Sequence, residues 1–406
     1  MSDWSRASRG PAVLCAAALA LTLGLAPAAL AAPSDEVPKP PAQMSDVGGP
    51  RLAKPGVQSD LPLGTPALPV VEGYSWLVAD ADTGNVLAAN NPHWKLPPAS
   101  TLKMLFADTV LPRVDRSATH MATVDELSAV GEGSSLVGIK ENETYKVEDL
   151  WRGVFLRSGN DAVHVLCAMN GGVPATVQQM NERARQLHAG DTHVITPDGY
   201  DEPGQVSSAY DLALFAREGL RNSDFRAYAS TAIADFPGLK GEKFQIQNTN
   251  MMLGSYPGMI GVKNGYTTNA AHTFTGAAQR DGHTLIVSIM HVADKTTMYE
   301  ATGRLLDWGF AALAAAKPVG TLVEPAEVPG AKKTDAPGKG TDDATAAPGN
   351  TRKAAASEDD KDKGFDWVLW AGLGIPAALV VGGGVLFALR RHEGDSGVRF
   401  ESDILP

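Results

Sequence analysis

The chain has 406 residues, 44% hydrophobic and 20% charged, a globular composition with enough apolar material for a sizeable core. A net charge of −11 leaves no basic face to neutralise phosphates, which argues against a nucleic-acid partner. Of the two cysteines, Cys15 falls in a segment read below as cleaved. Cys167 is then alone and is expected to be a small buried apolar side chain rather than a nucleophile.

In chain order, residues 1–31 carry Arg6 and Arg9, an apolar run from Pro11, and Ala29-Leu30-Ala31, the pattern of a cleaved secretory signal. Residues 32–70 are Pro-rich and are expected to be disordered. One domain is predicted over 71–316. Its first strand spans Tyr74 to Asp80, and Asp82-Thr83-Gly84 turns into a second strand from Asn85 to Ala89. After Pro97-Pro98 the run from Ser100 to Leu111 reads as a buried, largely apolar helix, followed by helices over 147–169, 175–188 and 208–221. Strand-like runs follow at 260–263, 272–277 and 284–291, then a helix from Thr297 to Ala315. Strands at both ends of the domain and helices in the middle predict an α/β (α+β) sandwich with the terminal strands in one sheet.

Residues 317–366 are dominated by Pro, Ala, Gly, Lys and Asp and read as a disordered stalk. Trp367 to Leu389 contains no charge, is flanked by Arg390 and Arg391, and is long enough for a transmembrane helix. Residues 390–406 then form a cytoplasmic tail, and the domain faces the outside of the cell, held to the membrane by a C-terminal anchor.

Three short groups could carry chemistry. Ser100-Thr101-Leu102-Lys103 puts a hydroxyl and an amine on one helical face, where a lysine of lowered pKa can deprotonate the serine. Ser158-Gly159-Asn160 offers a hydroxyl and an amide that could share a proton network, and Lys263-Asn264-Gly265 offers positive potential and close backbone approach. Alone, each reads more often as a helix cap, a turn, or in the case of Asn-Gly a hairpin. Ser-x-x-Lys, Ser-x-Asn and Lys-x-Gly in that order across one domain are the signature set of penicillin-binding proteins and class A β-lactamases.

With these motifs, and with Asn248-Thr249-Asn250, the chain resembles the D-alanyl-D-alanine carboxypeptidases, the low-molecular-mass penicillin-binding serine peptidases. The resemblance implies a β-lactamase/transpeptidase-like fold and hydrolysis of the terminal D-alanine from peptidoglycan stem peptides. It also implies β-lactams as covalent inhibitors and requires no cofactor or metal. By the same resemblance, Ser100 is the nucleophile, Lys103 its base, and Ser158 and Asn160 relay protons and hold substrate. Lys263, Asn264, Gly265 and Tyr266 receive the substrate, with the N–H groups of Ser100 and Tyr266 as the oxyanion hole. Asn264 stands where the family usually has Thr, and Arg280 is an alternative carboxylate partner. A β-lactamase would need a deacylating glutamate that Asp201-Glu202-Pro203-Gly204-Gln205-Val206 does not supply. A catalytically silent cell-wall sensor would account for Asn264 but not for the other retained motif residues.

Overall fold

The computed structural model describes residues 39–326. The signal over 1–31, the membrane span over 367–389 and the tail over 390–406 lie outside the described residues. Among the described residues no helix is long and apolar enough to cross a membrane.

The elements run β1 (Val57–Ser59), β2 (Ser75–Asp80), β3 (Asn85–Asn90), a 3-10 turn (Ala99–Leu102) leading into α1 (Lys103–Val110), β4 (Thr119–Met121), α2 (Val124–Ser128) and β5 (Thr144–Lys146). Helices α3 (Val147–Arg157), α4 (Asn160–Met169), α5 (Val173–Gln186), α6 (Ala209–Gly219) and α7 (Ser223–Ser230) follow. Then come β6 (Ile233–Pro237), β7 (Lys243–Gln247), β8 (Met259–Thr267), β9 (Ala271–Arg280), β10 (His283–Val292), α8 (Lys295–Ala312) and β11 (Gly320–Thr321).

The main sheet is antiparallel in the order β1-β3-β2-β10-β9-β8, with β11 also on β3. Strands from both ends of the domain therefore meet at the β2–β10 pair, as the sandwich reading requires. All of β2 is buried because both faces of the sheet are covered. Trp76, Val78, Leu285, Val287 and Ile289 face one layer with Leu305 and Leu306 of α8. The intervening Leu77, Ala79, Ile286 and Met290 face the helical layer containing Leu105, Phe106 and Phe215. Each fully buried large side chain of this kind contributes about 1.5–3 kcal/mol.

Four expectations need correction. Over its described part, the 32–70 segment is built into the domain. Val57, Gln58 and Ser59 pair with β3, Leu52 is fully buried, and Thr321 N–H donates to the Gly48 carbonyl. The stalk does not begin at 317, because Val319 and Leu322 are buried and β11 joins the sheet. In both stretches a few apolar residues suffice to dock on a sheet edge that already exists, so mean composition misleads. The helix expected over 147–169 breaks at Ser158 (φ 58°, ψ 28°) and Gly159, giving α3 and α4. Asn264-Gly265 is not a turn: β8 runs through it to Thr267, paired with β9 from Ala271.

His93 fastens the N-terminal segment from inside. Its Nδ1 lies 2.6 Å from Asp191 Oδ2 and its Nε2 lies 3.0 Å from the Val47 carbonyl. Asp211 completes the cluster. Burial, reinforced by the charge of Asp191, pushes its carboxyl well above the usual range.

Candidate active site

The cleft lies between the helical layer and the edge strand β8. It has a volume of about 470 Å³ and is lined by Ser100, Ser134, Asn160, Tyr200, Tyr266 and Thr267 among others. Ser100 sits in the 3-10 turn that follows Pro97-Pro98, where Ala99 has φ 48°. The next residues continue into α1, so Ser100 and Lys103 lie about one turn apart, as their spacing predicts.

Lys103 is 1% exposed. Its Nζ lies 2.9 Å from Ser100 Oγ, 2.7 Å from Asn160 Oδ1 and 2.6 Å from the Asp198 carbonyl. The amide oxygen and the carbonyl can only accept. A neutral amine therefore gives its two hydrogens to them, and its lone pair is left facing the Ser100 hydroxyl. Burial brings the Lys103 pKa down to about 8, against the opposing charges of Asp198 and Asp161. The lysine can thus be neutral near physiological pH while held in position to take the serine proton.

The break between α3 and α4 positions the second group. Ser158 occupies the left-handed position that ends α3; its Oγ is buried and has no hydrogen-bond partner among the described residues. Asn160 starts α4, and while its Oδ1 faces Lys103, its Nδ2 donates to Ser134 Oγ at 2.9 Å. Asp161 accepts from the backbone N–H groups of Val137, Gly138 and Ile139, which pins the 133–139 loop along the cleft.

Lys263 is also 1% exposed and donates to the Asn264 carbonyl at 2.8 Å. Burial, and then the neighbouring charge of Lys103, push its pKa well below the usual lysine range. Gly265 lies against Ser100: a Cβ there would come within 2.8 Å of Ser100 N and 2.9 Å of Ala99 Cβ. The Asn264 carbonyl turns away from β9 toward Lys263. Alternate residues of a strand repeat their direction, so the Tyr266 N–H also leaves the sheet edge, into the cleft that Tyr266 lines with Ser100. The structure thus brings all three motifs, with Tyr266, to one cleft.

Arg280 does not belong to it. Residues Thr273 and Thr275 of β9 face Gly265 and Lys263, and Arg280 is five residues beyond Thr275, about 17 Å at the usual strand rise. There it pairs with Asp307 at 3.1 Å and stacks on Tyr256 and Phe310. Cys167 is fully buried in α4, and burial pushes its thiol up to about 12, so it is no nucleophile.

Sequence reasoning missed Asp198, Gly199 and Ser134. Asp198 supplies the third lysine acceptor through its backbone, and Gly199 (φ 85°) meets Ala99 so closely that a Cβ would fall 2.0 Å from its carbonyl oxygen. The pair Asp198-Gly199 carries a turn signal only; nothing in the sequence says which loop the turn touches.

Residues 64–294 match the D-alanyl-D-alanine carboxypeptidase family. The chain is 39% identical over 255 residues to D-alanyl-D-alanine carboxypeptidase DacB2 of Mycobacterium tuberculosis, covering 62% of this chain and 86% of that protein. It is 34% identical to D-alanyl-D-alanine carboxypeptidase DacD of Escherichia coli, covering 60% of this chain and 65% of that protein. A solved D-alanyl-D-alanine carboxypeptidase from M. tuberculosis superposes with a TM-score of 0.60 at 38% identity, over 64% of this chain and 99% of that one. A Streptomyces DD-transpeptidase shares the fold, with a TM-score of 0.58 at 24% identity over 61% of this chain and 100% of that one. With the three motifs gathered around one buried Ser-Lys pair, the chain belongs to the D-alanyl-D-alanine carboxypeptidase family of serine peptidases.

Proposed function

We propose that the protein removes the terminal D-alanine of peptidoglycan stem pentapeptides through an acyl-serine formed on Ser100. The observation that carries this reading is the buried Lys103 amine 2.9 Å from Ser100 Oγ, with its other two contacts both pure acceptors. Lys103 takes the hydroxyl proton as Oγ bonds to the carbonyl carbon between the two D-alanines. The oxyanion forms between the N–H groups of Ser100 and Tyr266, donors that act mainly on charge present in the transition state. The carbon–nitrogen bond then breaks. The leaving amine receives the proton from Lys103 through Ser158, whose hydroxyl has no partner among the described residues to compete for it. Water, deprotonated by Lys103, hydrolyses the ester. Lys263, Asn264 and Gly265 receive the terminal carboxylate and the adjoining backbone.

A β-lactam acylates the same serine, which makes penicillin the simplest probe. Ser100→Ala is expected to abolish both D-alanine release from diacetyl-Lys-D-Ala-D-Ala and labelling by fluorescent penicillin. Label remaining on the variant at another serine would refute the assignment. The reading extends to location. The charged-apolar-small pattern of residues 1–31 and the uncharged run of 367–389 support a domain exported and then held at the outer face of the cell membrane. Fractionation of the full chain against one truncated after residue 326 tests the anchor; equal release of both into the medium would refute it.

A further inference from the structure

The Asn248-Thr249-Asn250 run touches the site through one contact that the mechanism above does not use. Thr249 Oγ1 donates to Asn264 Oδ1 at 2.9 Å. Thr249 is itself a fixed post. Its N–H donates to the Leu156 carbonyl of α3, and its carbonyl accepts from the Tyr299 hydroxyl of α8 at 3.1 Å. The flanking Asn248 and Asn250 side chains cap the backbone N–H groups two residues on. With Oδ1 turned to Thr249, the Asn264 Nδ2 points away from it and has no hydrogen-bond partner among the described residues. Side chains alternate along β8, so Asn264 shares its face with Tyr266, which lines the cleft. The Asn264 carbonyl below accepts from Lys263 Nζ.

An amide has a donor end and an acceptor end, and only the donor end suits an anion. A threonine hydroxyl in the strand could turn to donate without help; an asparagine must be oriented. We propose that Thr249 is a positioning residue that turns the NH2 of Asn264 toward the substrate, and that the pair sets selectivity for a free terminal carboxylate over a terminal carboxamide. This rests on the reading that the Lys263-Asn264-Gly265 strand receives the carboxylate. Loss of the hydroxyl lets the amide flip, presenting its oxygen to the anion and weakening binding, while the same flip is harmless or favourable to a carboxamide NH2.

The test is kcat and KM for diacetyl-Lys-D-Ala-D-Ala and its C-terminal carboxamide with five variants. Thr249→Val is expected to lower kcat/KM for the acid about tenfold, mainly through KM, because a hydrogen bond to a charged group is lost. The carboxamide should be unaffected or improved, so the acid-to-amide ratio falls by about the same factor. Thr249→Ser restores the ratio. In an Asn264→Thr background, Thr249→Val has no further effect on it. An equal loss on both substrates means Thr249 is merely structural and overturns the proposal. Asn264→Ala separates the two levels: a ratio unchanged there overturns the carboxylate reading itself. A ratio that falls in Asn264→Ala but not in Thr249→Val overturns only the role of Thr249.

Discussion

The two sides of the cleft each bury a lysine, and they use it oppositely. On the helical side Lys103 is surrounded by partners: a hydroxyl, an amide oxygen and a carbonyl meet its three possible hydrogens, and its pKa falls only to about 8. On the strand side Lys263 has one carbonyl, is as deeply buried, and is pushed well below the lysine range. A buried cation with too few acceptors gains most when an anion arrives, whereas a buried amine with a full set of acceptors is fixed in direction. Under the proposed function, the same residue type serves as a base on one wall and an anion receptor on the other, according to what surrounds it.

Removing each lysine should break this contrast in different kinetic terms. Lys103→Met leaves Ser100 without a base and is expected to lower kcat and the rate of penicillin acylation by at least about 10²–10⁴-fold, the usual worth of a positioned general base. Acylation at a near-native rate would show that another group deprotonates the serine. Lys263→Ala comes next: losing the charge that meets a desolvated carboxylate is expected to lower kcat/KM about a hundredfold, chiefly through KM. If the loss fell wholly in kcat, the lysine would be serving the chemistry instead of the binding.

A smaller change is expected in the pH dependence set by Lys103. The amine must be neutral to act, so kcat/KM should rise about tenfold per pH unit below about 8 and level off above it. The charge of Asp198 opposes that neutral form, so Asp198→Asn should move the limb to lower pH; a limb that stays or rises would remove Asp198 from the account. The same variant tests acid stability. Burial alone would raise the Asp198 carboxyl, but the His164 side chain, the charge of Lys103 and the Tyr200 N–H bring it down to about 2 from 3.8. Its contribution of roughly 2 kcal/mol is therefore present above pH 4 and lost as pH falls through about 2, which urea titrations of both proteins would read.

The chemistry-bearing residues were legible early because their order along the chain is itself a signal. Ser100 and Lys103 needed only helical spacing to be placed together. Ser158 and Asn160 were found as a motif but set inside a continuous helix, because the left-handed Ser158 that breaks it satisfies a tertiary need to aim Asn160 at Lys103. Asn264-Gly265 reads locally as a turn, yet the strand continues through it, since β9 offers a full ladder of partners. Pairing energy outweighed local preference.

Fold class, the long strands and helices of the central sheet and its covering layers, and the three groups that meet in the cleft can be read along the chain, since periodicity and motif order are local properties. That residues 57–59 and 320–321 complete the sheet, that Arg280 stands apart from the site, and that Asp198 and Thr249 touch Lys103 and Asn264 emerges only once the layers are packed. These are contacts between distant segments. They depend on which surfaces the packed layers bring face to face, and no spacing along the chain encodes that.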